Sequence, residues 1–299
     1  MYTTPHTDDT IAARRIGLTT VYLNGEYLPL EEAKIPVEDR GFLFSDGIYE
    51  VVRFYGERPF RLEAHIQRFV HSAEGMRLPL LHTVEDLPAI IERLRQENGL
   101  RDAEVYIQYT RGHAHPRTHA FPPEVCPTLL VMPLHMHLPP ASAYEEGMPA
   151  ITVPDLRWQR CDIKSTMLVP NLLAKQQARE RGAWEAILVR DGLVTEGAST
   201  NMFAVINGQV VTHPADCHIL GGISRDTALG LAEKLGLIVR QEAFTVQEML
   251  NADEVFLTST TQEVLPLTRI NDRPIGRGQP GPVTLRLHAA FRRLVLTES

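Results

Sequence analysis

Cysteine is scarce in this 299-residue chain, which contains only Cys126, Cys161 and Cys217. None of them belongs to a C-x-x-C pair, so neither a disulfide framework nor a zinc ribbon organises the fold. A sparse, odd-numbered set of cysteines is typical of a reducing compartment. We therefore expect a cytoplasmic protein whose cysteines are small buried hydrophobic side chains.

Long apolar runs and an excess of positive charge are also missing. No stretch approaches the ~18 consecutive apolar residues of a membrane span, and the start of the chain lacks the apolar segment of a secretory signal. The 30 basic residues are outnumbered by 37 acidic ones, which gives a net charge of −7 without a long basic run. We expect neither a membrane nor a nucleic-acid partner, and residues 1–18 are interpreted as a flexible N-terminal tail.

The order of hydrophobic patterns predicts mixed α and β structure. Residues 19–136 begin with two β-rich runs around Asn24-Gly25, a strong hairpin signal, and continue with strands and helical patterns in alternation. Similar hairpin signals recur at residues 191–192 and 207–208. We predict that residues 19–136 form a small N-terminal α+β domain.

A change of composition marks the predicted domain boundary. Residues 137–150 combine Pro139-Pro140 with small residues and no apolar periodicity, which is typical of an interdomain linker. Beyond the linker, strand patterns again alternate with helical ones. Residues 151–299 are therefore predicted to form a second, larger domain.

Lysine is rare enough to be informative, since only Lys34, Lys164, Lys175 and Lys234 occur. A cofactor with a reactive carbonyl group, such as pyridoxal phosphate, needs an amine for a Schiff base. Lys175 and Lys234 lie in helical patterns and Lys34 in a polar turn, whereas Lys164 follows a predicted strand, where functional sites gather. An exposed loop lysine would explain the same position.

Glycines and hydroxyl groups in the second half indicate a phosphate site. Gly221-Gly222 allows close backbone approach, and Ser224 is predicted to cap a helix whose first N–H groups attract anions. The hydroxyls of residues 258–261, at the end of an apolar strand, could supply further phosphate ligands. A glycine turn and a strand end without any ligand remain the alternative interpretation.

One carboxylate is placed to complement such a cofactor. A Schiff-base cofactor withdraws electrons effectively only while its ring nitrogen is protonated, and an acidic side chain beside that nitrogen keeps it so. Glu196 lies at a predicted strand end and is followed by small polar residues. A surface glutamate at a strand end is the alternative.

Histidines crowd around one segment of the first half: His113, His115, His119, His135 and His137. Such a cluster raises the question of metal binding, but neither an HExxH pattern nor a carboxylate at ligand spacing accompanies it, and we predict no metal. Arg117, close to His119, instead offers donors that could hold a carboxylate. A solvated polar loop is the alternative.

Taken together, these segments resemble the class IV, or fold type IV, pyridoxal-phosphate aminotransferases. That family includes the D-amino acid and branched-chain aminotransferases and aminodeoxychorismate lyase. The resemblance spans nearly the whole chain through segments in the family's order and spacing: EDRGFLFSDGIYEVVRFYGERPF, HIQRF, TRG, RCDIKSTMLVPNLLAKQQA, TEGASTNMF and THPADCHILGGISRD. Tyr49 and the Arg117/His119 pair are most similar to the substrate-carboxylate trap of the D-amino acid enzymes.

The resemblance implies a two-domain fold with pyridoxal 5′-phosphate and specific residue roles. Lys164 would form the Schiff base and move the proton in catalysis, Glu196 would pair with the ring nitrogen, and Arg68 would contact the phosphate. The other implied cofactor contacts are Ser199, Leu220, Ile223, Ser224, Ser259 and Thr260. Tyr49, Arg117 and His119 would bind the substrate carboxylate, with the trap loop reaching into the other subunit's site of a homodimer.

The activity expected from the resemblance is ping-pong transamination between a D-amino acid, such as D-alanine or D-glutamate, and 2-oxoglutarate or pyruvate. Three departures bear on substrate range: a longer tail before Thr19, about one extra residue between Arg111 and Arg117, and Arg53 where lysine is common. Alternatives are a branched-chain L-amino acid or (R)-amine transaminase and aminodeoxychorismate lyase. A metal-dependent or cofactor-free protein on the same scaffold is a different class of answer.

Overall fold

The computed structural model describes residues 19–80 and 83–297, which form two β-sheets with associated helices. This architecture confirms the predicted α+β class. The predicted tail, residues 1–18, lies outside the described residues. Across the described part, no helix is both long and apolar enough to cross a membrane.

Six strands form the first sheet: β1 (Thr20–Leu23), β2 (Glu26–Pro29), β3 (Gly47–Tyr55), β4 (Arg58–Pro59), β5 (Glu104–Thr110) and β6 (Thr128–Leu134). They follow the order β2-β1-β6-β5-β3-β4, and neighbouring strands are antiparallel. A 3₁₀ turn and three helices belong to this part of the chain: Leu30–Glu32, α1 (Arg40–Phe44), α2 (Leu62–Gly75) and α3 (Thr83–Glu97).

The two-residue period of β3 separates a core face from a cavity face. Val52 and Phe54 are fully buried and pack with Phe69 of α2 in the hydrophobic core. The alternate side chains Tyr49 and Val51 point to the other face, where they line a cavity. The strand therefore contributes to the core and to the candidate site at once.

Ten strands form the second sheet: β7 (Met148–Pro154), β8 (Glu185–Arg190), β9 (Leu193–Gly197), β10 (Asn201–Ile206), β11 (Gln209–Thr212), β12 (Val239–Gln241), β13 (Phe244–Thr245), β14 (Glu254–Ser259), β15 (Glu263–Ile270) and β16 (Arg273–Pro274). Their order is β12-β11-β10-β14-β15-β7-β8-β9-β13, with β16 paired to β15. The helices here are α4 (Ala141–Glu146), α5 (Val169–Glu180), α6 (Ile223–Lys234), α7 (Val246–Leu250) and α8 (Pro282–Thr297).

The three hairpin signals in the sequence correspond to hairpins. Both residues of each turn have positive φ: Asn24 50° and Gly25 102°, Asp191 52° and Gly192 80°, Asn207 50° and Gly208 73°. A two-residue turn of this kind matches the right-handed twist of the flanking strands. The predictions at these turns are confirmed because the turn chemistry is local.

The interdomain linker predicted for residues 137–150 contains regular secondary structure. Helix α4 lies inside it, and β7 begins at Met148 rather than at Ile151. Ala143 of α4 is buried, and Met148 pairs in parallel register with Leu267 of β15. These contacts are distant in sequence, so local composition does not reveal them.

The expectation of buried cysteines holds for one residue of three. Cys161 is buried, Cys217 is half-buried and Cys126 is exposed, and all three are free. Cys126 lies between β5 and β6 in the irregular segment that also contains Arg117 and His119. Cys126 is exposed because it lies in a surface loop, even though its side chain is apolar.

Candidate active site

A cavity of about 740 Å³ opens between the β3 face of the first sheet and strand ends of the second. Ten of the residues predicted to contact cofactor or substrate line it: Tyr49, Arg68, Lys164, Glu196, Ser199, Leu220, Ile223, Ser224, Ser259 and Thr260. They come from both halves of the chain. The fold thus brings together an amine, a carboxylate, a guanidinium and several hydroxyl groups.

Lys164 is held by backbone bonds to two elements of the first half. Its N–H donates to Ser72 Oγ of α2 at 3.0 Å, and its carbonyl accepts from the Tyr49 N–H of β3 at 3.0 Å. Its Nζ lies 4.3 Å from the centroid of the Tyr49 ring. The backbone is fixed while the amine remains inside the cavity.

The other lysines are less suited to bind a carbonyl group. Lys175 also lines the cavity, but its Nζ donates to the Trp184 carbonyl at 2.6 Å and lies 3.3 Å from Glu185 Oε1. Lys34 and Lys234 do not line the cavity. Lys164 is therefore the lysine whose surroundings fit the predicted attachment.

Glu196 lies near the end of β9, with both carboxylate oxygens engaged. Its Oε2 accepts from Asn201 Nδ2 at 3.0 Å and from the Leu220 N–H at 3.1 Å, and its Oε1 accepts from Arg157 Nη1. Burial raises the pKa of the Glu196 carboxyl, and the neighbouring Arg157 guanidinium opposes that rise. The carboxylate is held firmly at the cavity wall.

Arg157 is a site residue that the sequence interpretation missed. Its Nη2 donates to Asp155 Oδ2 at 2.9 Å and to the His218 carbonyl at 3.1 Å, while Nη1 bonds Glu196. Burial works against its charge, but the two carboxylates keep its pKa above the ordinary value. The Asp-Leu-Arg sequence after β7 was the available signal, but an isolated Asp-x-Arg spacing is common in loops.

The N-terminus of α6 opens into the cavity without a capping side chain. The N-cap residue is Gly222, so the prediction that Ser224 caps this helix is wrong. Ser224 is instead a buried residue of the first turn and lines the cavity. The first N–H groups of a helix have no partners within it and attract anions, so this end suits a phosphate.

Arg68 lies beside that helix end and is fixed by a buried acid. Its Nη1 donates to the Gly221 carbonyl at 2.9 Å, and its Nε and Nη2 donate to Glu50 at 2.7 and 2.8 Å. Burial alone would raise the pKa of Glu50, but Arg68 and His65 lower it well below its ordinary value. The sequence interpretation also missed Glu50, which faces the core side of β3.

The predicted carboxylate trap is only partly assembled in one chain. Tyr49 lines the cavity, but Arg117 and His119 are exposed and do not line it. Both side chains contact Phe44. The Arg117 guanidinium carbon lies 4.3 Å from the centre of the Phe44 ring, and the centre of the His119 ring lies 5.4 Å from it. Phe44 itself lines the cavity, so the two residues lie just outside its wall.

Within residues 19–80 and 83–297, the histidine-rich segment contributes to no group of three potential metal ligands. His115 lies 3.0 Å from Glu38, and His119 packs on Phe44. Among the described residues, the potential metal ligands that come together in a group of three belong to a different loop: His213, Asp216 and His218.

The chemical groups that line the cavity suit pyridoxal phosphate. A Cβ atom added at Gly222 would lie 2.0 Å from Asn201 Oδ1, so a side chain there would disturb the helix end and the Glu196 contact. Thr258 lines the cavity, and its buried Oγ1 has no hydrogen-bond partner. An amine, an uncapped helix end and a carboxylate match the aldehyde, phosphate and ring nitrogen of the cofactor.

Comparison with known families decides the identity. The model of the family described as "Amino-transferase class IV" matches residues 47–270. The chain is a class IV aminotransferase. The predicted family is confirmed, and enzymes of this class depend on pyridoxal phosphate.

Relatives of this class IV aminotransferase cover almost its whole length. The D-alanine aminotransferase of Staphylococcus haemolyticus is 42% identical over 283 residues, which is 94% of this chain and 100% of that protein. The D-alanine aminotransferase of Bacillus licheniformis is 42% identical over 281 residues, which is 93% of this chain and 98% of the relative.

Solved structures show the same architecture at lower identity. The Escherichia coli branched-chain amino acid aminotransferase has a TM-score of 0.87 at 27% identity, covering 94% of this chain and 96% of the other. The branched-chain aminotransferase of the archaeon Thermoproteus uzoniensis, solved with norvaline, has a TM-score of 0.83 at 28% identity, covering 95% and 96%. The predicted fold type is confirmed.

Proposed function

We propose that this enzyme transfers the amino group of a D-amino acid, such as D-alanine or D-glutamate, to 2-oxoglutarate or pyruvate by a ping-pong mechanism. The observation that carries the proposal is the presence of Lys164, Glu196 and the open end of α6 in one cavity. The 42% identity to D-alanine aminotransferases supports the D-configuration of the substrate. Three free cysteines agree with a cytoplasmic location.

Each of the main cavity residues has a separate role in the proposed reaction. When bound, pyridoxal phosphate supplies an electrophilic carbon and a ring that withdraws electrons from the substrate Cα. Lys164 Nζ would attach the cofactor and, once freed, would carry the proton between the substrate Cα and the cofactor carbon that receives the amino group. Glu196 would keep a proton on the ring nitrogen, while Arg68 and the N–H groups of the first turn of α6 would hold the phosphate.

Substrate recognition in this proposal requires a homodimer. Arg117 and His119 are exposed outside the cavity of their own chain, and Phe42 of α1 is 72% exposed. We infer that a second copy covers this face and that the loop carrying Arg117 completes the other subunit's site. The substrate carboxylate is then held by Tyr49 and by donors from the loop.

A panel of amino donors tests the proposal. Purified holoenzyme is supplied with both enantiomers of alanine, glutamate and leucine and with an (R)-amine, each with 2-oxoglutarate and with pyruvate. We expect turnover of D-alanine and D-glutamate and little or none of L-leucine. Lys164→Ala protein is the negative control. Preferential use of L-leucine or of the (R)-amine would contradict the proposal.

A branched-chain L-amino acid aminotransferase is the second candidate, because solved structures with TM-scores up to 0.87 carry the branched-chain name. If this candidate is correct, the enzyme should prefer the L-enantiomers to the D-enantiomers in the same panel. Aminodeoxychorismate lyase is distinguished by its product, since it releases pyruvate from its substrate without an added amino acceptor. Neither alternative accounts for the sequence match of Arg117 and His119 to the D-amino acid enzymes.

A further inference from the structure

The loop between β11 and α6 brings together three potential metal ligands away from the cavity. His213, Asp216 and His218 each offer one ligand atom, and the three atoms lie within 4.8 Å of one another. None of them lines the cavity. The proposed transamination does not use these three side chains.

The spacing of these atoms suits a four-coordinate ion. Asp216 Oδ1 lies 3.2 Å from His218 Nδ1 and 3.8 Å from His213 Nδ1. Ligands about 2.0–2.2 Å from a tetrahedral zinc ion are separated from each other by roughly 3.4 Å. The separations of Asp216 Oδ1 from the two histidine nitrogens are therefore close to the value for ligands of one ion.

The backbone of this loop is already fixed. The buried Arg225 side chain donates to the His213 carbonyl at 2.8 Å, and Arg157 donates to the His218 carbonyl at 3.1 Å. Within the loop, the His218 N–H donates to Asp216 Oδ1 at 2.8 Å. Ligands on a rigid backbone lose little conformational entropy when an ion binds.

The donor set defines the class of ion. Two imidazoles and one carboxylate suit first-row transition ions such as Zn²⁺, whereas Mg²⁺ and Ca²⁺ prefer oxygen ligands. His213 Nδ1 lies 2.9 Å from the Pro214 carbonyl, so binding an ion through this nitrogen requires the ring to give up that hydrogen bond. Cys217 Sγ lies 3.9 Å from His218 Nδ1 and is a further potential ligand.

We propose that His213, Asp216 and His218 form a binding site for a divalent transition ion of the Zn²⁺ type. The ion joins the two ends of a loop that is also bonded to Arg157, and through Arg157 to Glu196. Because the fold fixes the backbone at both ends of this short segment, the ion binds the native state more tightly than the unfolded chain and raises its resistance to unfolding.

Calorimetric titration of the holoenzyme with Zn²⁺ tests the site, using chelator-treated protein without a histidine tag. Asp216→Asn keeps an oxygen acceptor for the His218 N–H but removes the charge, and His218→Gln removes an imidazole. We expect one Zn²⁺ per chain in the wild type, with affinity at least tenfold weaker in each variant. Zn²⁺ should raise the wild-type Tm and leave the Tm of the variants nearly unchanged.

The matched control is His71→Gln, because exposed His71 lies 3.3 Å from Asp162 as a histidine–carboxylate pair without a third ligand. It should bind Zn²⁺ as the wild type does. Equal binding by Asp216→Asn, His218→Gln and wild type would overturn the proposal, as would the absence of stoichiometric binding to the wild type. Equally tight binding of Mg²⁺ would contradict the assigned class of ion.

Discussion

The phosphate end of the cavity and the loop carrying Arg117 differ in how completely one chain builds them. Arg68 has an 11% exposed side chain and is fixed by the fully buried Glu50. Arg117 and His119 are exposed and contact Phe44 through their side chains. In the proposed homodimer, one chain would hold the cofactor, whereas recognition of the substrate would also need the loop of the second chain.

The largest expected effect comes from removing the amine. Lys164→Ala should abolish covalent attachment of the cofactor and lower turnover by at least ~10²-fold, since general acid–base catalysis alone typically contributes 10²–10⁴-fold. The loss of the visible absorbance of the bound cofactor and steady-state kinetics measure both effects. Lys234→Ala, which alters an exposed lysine of α6, is the matched control. Normal turnover by Lys164→Ala would contradict the assignment.

A smaller effect, confined to the substrate, is expected from Arg117→Ala. Losing a charged hydrogen bond to a carboxylate costs about 1.5–3 kcal/mol, or roughly 10- to 150-fold in kcat/KM for D-alanine. Cofactor affinity should not change, because the variant keeps Lys164, Glu196 and Arg68, the residues proposed to hold the cofactor. Arg101→Ala, at an arginine whose side chain is 72% exposed, controls for loss of surface charge. If Arg117→Ala weakened cofactor and substrate binding equally, the loop carrying Arg117 would not differ in role from the phosphate end of the cavity.

The smallest effect is expected from a single methyl group at the phosphate end. Gly222→Ala places a Cβ atom 2.0 Å from Asn201 Oδ1, whereas Gly221→Ala meets nothing within 4 Å. Overpacking of about 1–2 kcal/mol corresponds to roughly tenfold weaker cofactor binding. Titration of cofactor-free protein with pyridoxal phosphate measures the difference between the two variants. Identical affinities of the two variants would show that cofactor binding does not need the tight packing around Gly222.

Features encoded by neighbouring residues could be predicted from the sequence. The hairpins followed from Asn-Gly and Asp-Gly pairs, which adopt positive φ at low cost. Lys164 was found because lysine is rare in this chain. The glycines before α6 were found because a glycine pair ahead of a helix allows a ligand to approach the backbone closely. In each case the deciding chemistry is contained in a few consecutive residues.

Features that depend on distant contacts could not be predicted. Glu50 and Arg157 are ordinary charged residues in the sequence, and their importance comes from Arg68 and Glu196, which lie far along the chain. Helix α4 was missed because burial of Ala143, rather than local periodicity, stabilises it.

The backbone of Lys164 joins α2 and β3 of the first half to a segment of the second. The yellow colour of the attached coenzyme should consequently report on whether the halves are docked. During denaturation, bleaching should accompany their separation even where each sheet retains its own hydrogen bonds. The pigment thus provides an optical measure of cooperativity across the molecule.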